Sequence, residues 1–279
     1  MNEENNAAPA AAAGFRLDGL IENFFDRFAT RMRNFISPQR FDLLGGMMER
    51  VGYYAVSVAI LLLLVIVIGL KCKGASWIQV KAAVFFVLLA PVLLYAAVKF
   101  CNWCRALIAS HPSKFGAPVI LRVGVLIALA LGGASFVFNI LLLCGGANIL
   151  IALFGFVIFL IAGYVAGLSL LPETVNVTVA EPGSAADTAL ELLRFAAKAL
   201  LKAAPVLFGL VSFLGLIALG FAGYLLFFGN GQEVNALNIS NSSSEMMFYA
   251  VLTPVLGAVM FLVLYLLLDV LEAILKRAK

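Results

Sequence analysis

The chain has 279 residues, of which 63% are apolar and only 12% charged, with 19 basic and 15 acidic side chains and a formal net charge of +4. A soluble domain of this size carries about twice that charged fraction, and the mean hydropathy of +1.06 makes a bilayer the natural solvent for much of the chain. A soluble cytosolic enzyme is excluded, and so is a disordered chain, which needs low hydrophobicity and high net charge.

Taken in chain order, residues 1–14 form a polar and Ala/Pro-rich lead without periodicity, which predicts disorder. From 15 to 50 a cytoplasmic amphipathic helix and linker are expected. Leu17, Leu20, Ile21, Phe24, Phe25, Phe28, Met32, Phe35 and Ile36 recur on one helical stripe, while Arg27, Arg31 and Arg33 lie opposite and Pro38 ends the pattern. No cleavable signal peptide is expected. The first 50 residues are rich in charge, and the first long apolar run begins only at Val51, which reads as an uncleaved signal anchor.

Six apolar runs match the roughly 20 residues that a helix needs to cross about 30 Å of hydrocarbon. They are 51–70, 82–98, 123–143, 149–171, 206–228 and 246–268, and none contains Lys, Arg, Asp, Glu or His. Spans one to four thus occupy 51–171, and spans five and six 206–268. Sixteen of the 19 cations fall in the N-terminal segment, the second and fourth connections and the C-terminal tail 269–279; Lys71, Lys73 and Lys81 are the other three. Because cytoplasmic connections retain positive charge, this bias places both termini in the cytoplasm of a plasma or bacterial inner membrane.

Between the fourth and fifth spans, 172–205 is expected to hold a strand-like linker and a second amphipathic helix. Residues 174–179 alternate strictly, with Val175, Val177 and Val179 on one side; this is either an extended linker or a strand that pairs with another chain. The helix is expected over about Thr188 to Ala204, with Thr188 and Glu191 at capping-box spacing. Its Arg194, Lys198 and Lys202 form a thin basic stripe suited either to anionic lipid headgroups or to packing on the bundle.

Chemical motifs are sparse. Cys101 and Cys104 lie one helical turn apart, but there is no second cysteine pair and His111 is the chain's single histidine, so a four-ligand zinc site cannot be completed in the usual way. Cys72 and Cys144 both fall on the outer side, where they could pair in an oxidising compartment. No nucleotide-binding, metalloprotease or nucleophile-elbow pattern is present. No catalytic, cofactor-binding or metal residue is assigned, and neither a cofactor nor a nucleic-acid partner is expected.

Packing signals are stronger. Gly124, Ala128 and Gly132 in the third span and Gly163 and Gly167 in the fourth recur at four-residue steps that let helix backbones approach closely. Asn139 is an amide in hydrocarbon that needs a partner, and Pro91 and Pro254 interrupt the second and sixth spans. The fold class is therefore an all-α polytopic membrane protein, a six-helix transmembrane bundle with two cytoplasmic amphipathic helices. Spans free of charge argue against ion-coupled transport. They favour a non-catalytic scaffold, assembly or membrane-organising subunit that contacts anionic lipid, a second copy or a membrane-complex partner through its cytoplasmic segments. The alternative is a permease or channel for a small neutral or apolar solute, with a passage around Asn139, Pro91 and Pro254.

Overall fold

The computed structural model describes residues 37–146, 149–179 and 184–278, together with Arg27, Thr30, Arg31 and Arg33. The expected disordered lead over 1–14 and most of the first amphipathic helix lie outside the described residues. Six helices follow in order: α1 (Pro38–Cys72), α2 (Lys81–Ser110), α3 (Pro118–Cys144), α4 (Ile149–Leu170), α5 (Ala185–Phe228) and α6 (Glu233–Ala278). Two short strands, β1 (Ser113–Phe115) and β2 (Val177–Val179), and a 3-10 turn at Pro172–Val175 complete the described elements. Among the described residues, five helices (all but α4) are long and apolar enough to cross a membrane. They make the chain a helical, multi-pass membrane protein.

The helix starts follow local chemistry. Ser37 caps α1 by accepting from the Arg40 amide at 3.3 Å, and Pro38 fills the first turn, where its missing N–H costs nothing. Ser184 caps α5 in the same way, accepting from the Asp187 amide at 3.2 Å and donating its hydroxyl to the Asp187 carboxylate at 2.6 Å. This cap lies one turn before the expected Thr188–Glu191 box. From there α5 runs unbroken for 44 residues, through Pro205. The second amphipathic helix and the fifth span are thus one rod, about 66 Å long at 1.5 Å per residue. A bilayer core is about 30 Å thick, so the rod exceeds it by about 36 Å, between six and seven turns. Likewise α6 begins at Glu233, well before the expected start of the sixth span at 246, and continues through the tail expected after 268.

Helices α1, α2, α5 and α6 form the central bundle, around Val56, Leu63, Phe86, Phe208, Leu219 and Met247, all buried. Helices α1 and α5 approach each other closely. A methyl group at Gly209 would run into the Met48 carbonyl, and one at Gly52 would meet the Phe208 ring at 2.6 Å. Helices α3 and α4 pair with each other as a hairpin that reaches the bundle through α4. Val123, Ile127, Leu131, Val137 and Phe138 of α3 are exposed, together with Leu61, Leu88 and Leu266 elsewhere on the bundle. That much open apolar surface suits lipid and not water.

The alternating segment 174–179 is not a free linker. Residues 177–179 lie parallel to 113–115 of the same chain, with Ser113 opposite Val177 and Phe115 opposite Val179. Phe115, Val175 and Val177 are buried in a second core with Phe41, Tyr164 and Phe195. A two-stranded sheet is marginal alone; here the core beneath it supplies the stability.

Candidate functional site

The two strands, the start of α5 and the ends of α1, α2 and α6 meet at the basic end of the bundle. At their centre is Lys198. Its side chain is fully buried, and its ammonium donates to the Ser113 hydroxyl at 2.8 Å, to the Asn176 carbonyl at 3.0 Å and to the His111 carbonyl. Three oxygens match the three donors of a lysine. Among the described residues, no carboxylate forms a salt bridge with it. Burial, and secondarily the neighbouring positive charge of Arg194, lower its pKa from 10.5 to about 8.

Asn176 makes this geometry. It ends the 3-10 turn in the left-handed conformation at φ 56°, one of the few states that asparagine adopts more readily than most residues. In that pose its side-chain amide donates to the carbonyls of Ile108 at 3.1 Å and Ala109 at 3.0 Å, which belong to the unsatisfied last turn of α2. Its own carbonyl also accepts from the Ser113 amide at 3.1 Å. One residue thus ties the end of α2 to β1 and, through Lys198, to α5. The αL pose was beyond sequence reasoning; an Asn inside the alternating run was the available hint.

The remainder of the α5 stripe is also turned inward. Glu191 accepts from the Gly116 amide at 2.8 Å. Arg194 pairs with Glu272 at 2.5 Å and lies 3.6 Å from Asp269, which fastens α5 to the end of α6. Lys202 pairs with Asp42 at 2.5 Å, which fastens it to α1. Arg105 of α2 pairs with Glu49 of α1. Arg194 and Lys202 keep only 23% and 16% of their side chains exposed, and of the two uses expected for this stripe, lipid headgroups or packing on the bundle, their ion pairs match packing. Arg27, Arg31 and Arg33 are exposed, and Arg33 comes within 3.7 Å of Glu173.

This assembly leaves an open cleft of about 610 Å³, which Asp42, Arg105, Glu173, Asn176 and Lys202 line above Cys104. Cys101 and Cys104 are free and buried. Burial pushes their thiols up to about 12 and about 11, and the proximity of Cys104 adds to the shift at Cys101. Such thiols are poor nucleophiles at neutral pH. Cys104 instead donates to the Pro254 carbonyl at 3.8 Å. Cys72 and Cys144 are free and exposed. No group of residues able to hold a metal occurs among the described residues.

The packing residues distribute unevenly. At Gly132 a methyl group would meet the Ala162 Cβ at 2.5 Å, and at Gly167 it would enter the Phe41 ring. Gly124 has its nearest neighbour, Ser169 Oγ, at 3.8 Å, and Gly163 has nothing within 4 Å. Ala128 lies on α3 between the two glycines. Asn139 packs onto Gly155 of α4, and its amide donates back to the Ser135 carbonyl at 2.7 Å. Pro91 is exposed on α2, whereas Pro254 is buried in the bundle. Asn139, Pro91 and Pro254 therefore occupy different parts of the fold. Comparison with known protein families, with curated proteins and with solved structures finds no match.

Proposed function

We propose that the chain is a six-span, non-catalytic protein of a plasma or bacterial inner membrane, with both termini cytoplasmic, and that it serves as a scaffold or assembly subunit. The observation that carries this reading is the basic end itself. Its charged side chains lock helix ends and strands into a rigid cap, and that cap presents a charged cleft. Prearranged polar surface costs little ordering on association, which is what a docking platform requires. The membrane spans contribute no charged group that could move a proton or an ion.

The lead-in over 15–50 and the α5 rod act on this side, where acidic lipid headgroups and a membrane-complex partner meet the cap. Copurification after mild solubilisation, set beside solute flux in proteoliposomes, tests the reading. A defined complex that Ala109→Trp, which fills the cleft, abolishes, without flux by the lone protein, is the expected result. Saturable flux of a neutral solute would establish the permease alternative instead.

A further inference from the structure

At the opposite end of the bundle, α2 and α6 enclose a groove of about 380 Å³ lined by Ala82, Phe85, Phe86, Phe248 and Tyr249. Lys81 and Glu245 stand at its rim, and both are exposed. Among the described residues neither side chain forms an ion pair or a hydrogen bond. This contrasts with the basic end, where Lys198, Lys202, Arg105 and Arg194 all have partners.

Their position along the chain is as informative as their freedom. Lys81 immediately precedes the second apolar run and Glu245 immediately precedes the sixth, so both lie at the depth where the hydrocarbon ends and headgroups begin. The rings of Phe85 and Phe248, 6.0 Å apart, and of Phe248 and Tyr249, 5.9 Å apart, occupy the same level, where aromatic side chains favour the interface. One free cation and one free anion over an aromatic groove at this depth complement a ligand that has an anion, a cation and an apolar tail.

We propose that this groove is a binding site for a zwitterionic aminophospholipid of the phosphatidylethanolamine type. Its phosphate meets the Lys81 ammonium, its primary ammonium donates to the Glu245 carboxylate, and its glycerol and upper acyl chain lie along Phe85, Phe86 and Phe248. An anionic lipid such as phosphatidylglycerol satisfies Lys81 but leaves Glu245 facing a negative headgroup, which supplies the selectivity. This inference rests on the membrane reading of the spans and is independent of the cleft at the basic end.

The test is lipid retention by the full chain after reconstitution in equimolar phosphatidylethanolamine and phosphatidylglycerol, release in mild detergent and native mass spectrometry. The wild type should retain phosphatidylethanolamine in preference. Glu245→Gln should lower that retention about fivefold, the scale of one partly exposed charge pair, and raise that of phosphatidylglycerol by relieving the like charge. Lys81→Gln should weaken both lipids, Glu245→Asp should keep the preference, and Lys99→Gln at the other end should change nothing. A wild type without preference, or a Glu245→Gln variant that keeps it in full, would overturn the site.

Discussion

Replacement of Lys198 by Met tests the basic-end cap at its centre. Methionine has nearly the volume of lysine but no donor, so it would leave the His111 and Asn176 carbonyls and the Ser113 hydroxyl without their shared partner. At roughly 1–2 kcal/mol for each lost bond, the loss is about 3–6 kcal/mol. Against it stands the cost of keeping a charge buried. A pKa lowered from 10.5 to about 8 corresponds to about 3 kcal/mol at neutral pH. The net destabilisation at pH 7 is therefore about 0–3 kcal/mol.

The pH dependence separates the two contributions. The folded pKa lies below the unfolded one, so between about pH 8 and pH 10.5 the unfolded chain binds more protons, and wild-type stability rises with pH. The burial cost is present in full below pH 8 and is relieved as pH climbs through that window. Lys198→Met carries no such term. Its deficit should widen by about 3 kcal/mol from pH 7 to pH 10.5, a Tm difference that grows by roughly 6–12 °C for a chain of this size. Thermal unfolding of both proteins in the same detergent reads the difference directly and cancels groups they share. A deficit that stays constant across the window would refute the buried ammonium held by neutral oxygens alone.

Four further outcomes follow from the geometry. Gly209→Leu should abolish a monodisperse elution peak, because its side chain meets the Met48 backbone, whereas Gly163→Leu should leave Tm within about 2 °C of wild type because nothing lies within 4 Å. Maleimide labelling at pH 7 in detergent should modify Cys72 and Cys144 and spare Cys101 and Cys104 until the protein is denatured; fast labelling of the buried pair would contradict their packing. A double-mutant cycle of Asp42→Ala with Lys202→Ala should give a coupling of about 0.5–1 kcal/mol that falls in high salt, and no coupling would remove the α1–α5 tie. Alkaline phosphatase fused at Asn230, in the turn between α5 and α6, should be active, and inactivity there would reverse the orientation.

The membrane-spanning character was legible because lipid demands one simple property, about 20 apolar residues without charge, which composition alone displays. What surrounds the spans was less legible, for identifiable reasons. Helical spacing of Arg194, Lys198 and Lys202 assigns them to one face but says nothing of what that face meets. The inward role depends on Asp42, Glu272 and the carbonyls of residues 111 and 176, all far away in sequence. The pairing of 113–115 with 177–179 was hidden because three residues are too few to show a period; only 177–179 falls in a longer alternating run, over 174–179. Continuity of α5 through Pro205 was hidden because proline reads as a boundary, yet the packing on both sides of it holds the rod together. In the same way, a four-residue glycine step cannot tell Gly167, which seats Phe41, from Gly163, which seats nothing.

We propose the cap at the basic end as a docking platform on the cytoplasmic side. Photocrosslinking in native membranes tests it most directly, with a photoreactive amino acid placed at Ala109 on the cleft wall and, as a control, at Ile78 on the exposed connection at the other end. A discrete protein adduct at Ala109 that is absent at Ile78 is the predicted result. Equal labelling at both positions, or none at Ala109, would contradict the claim.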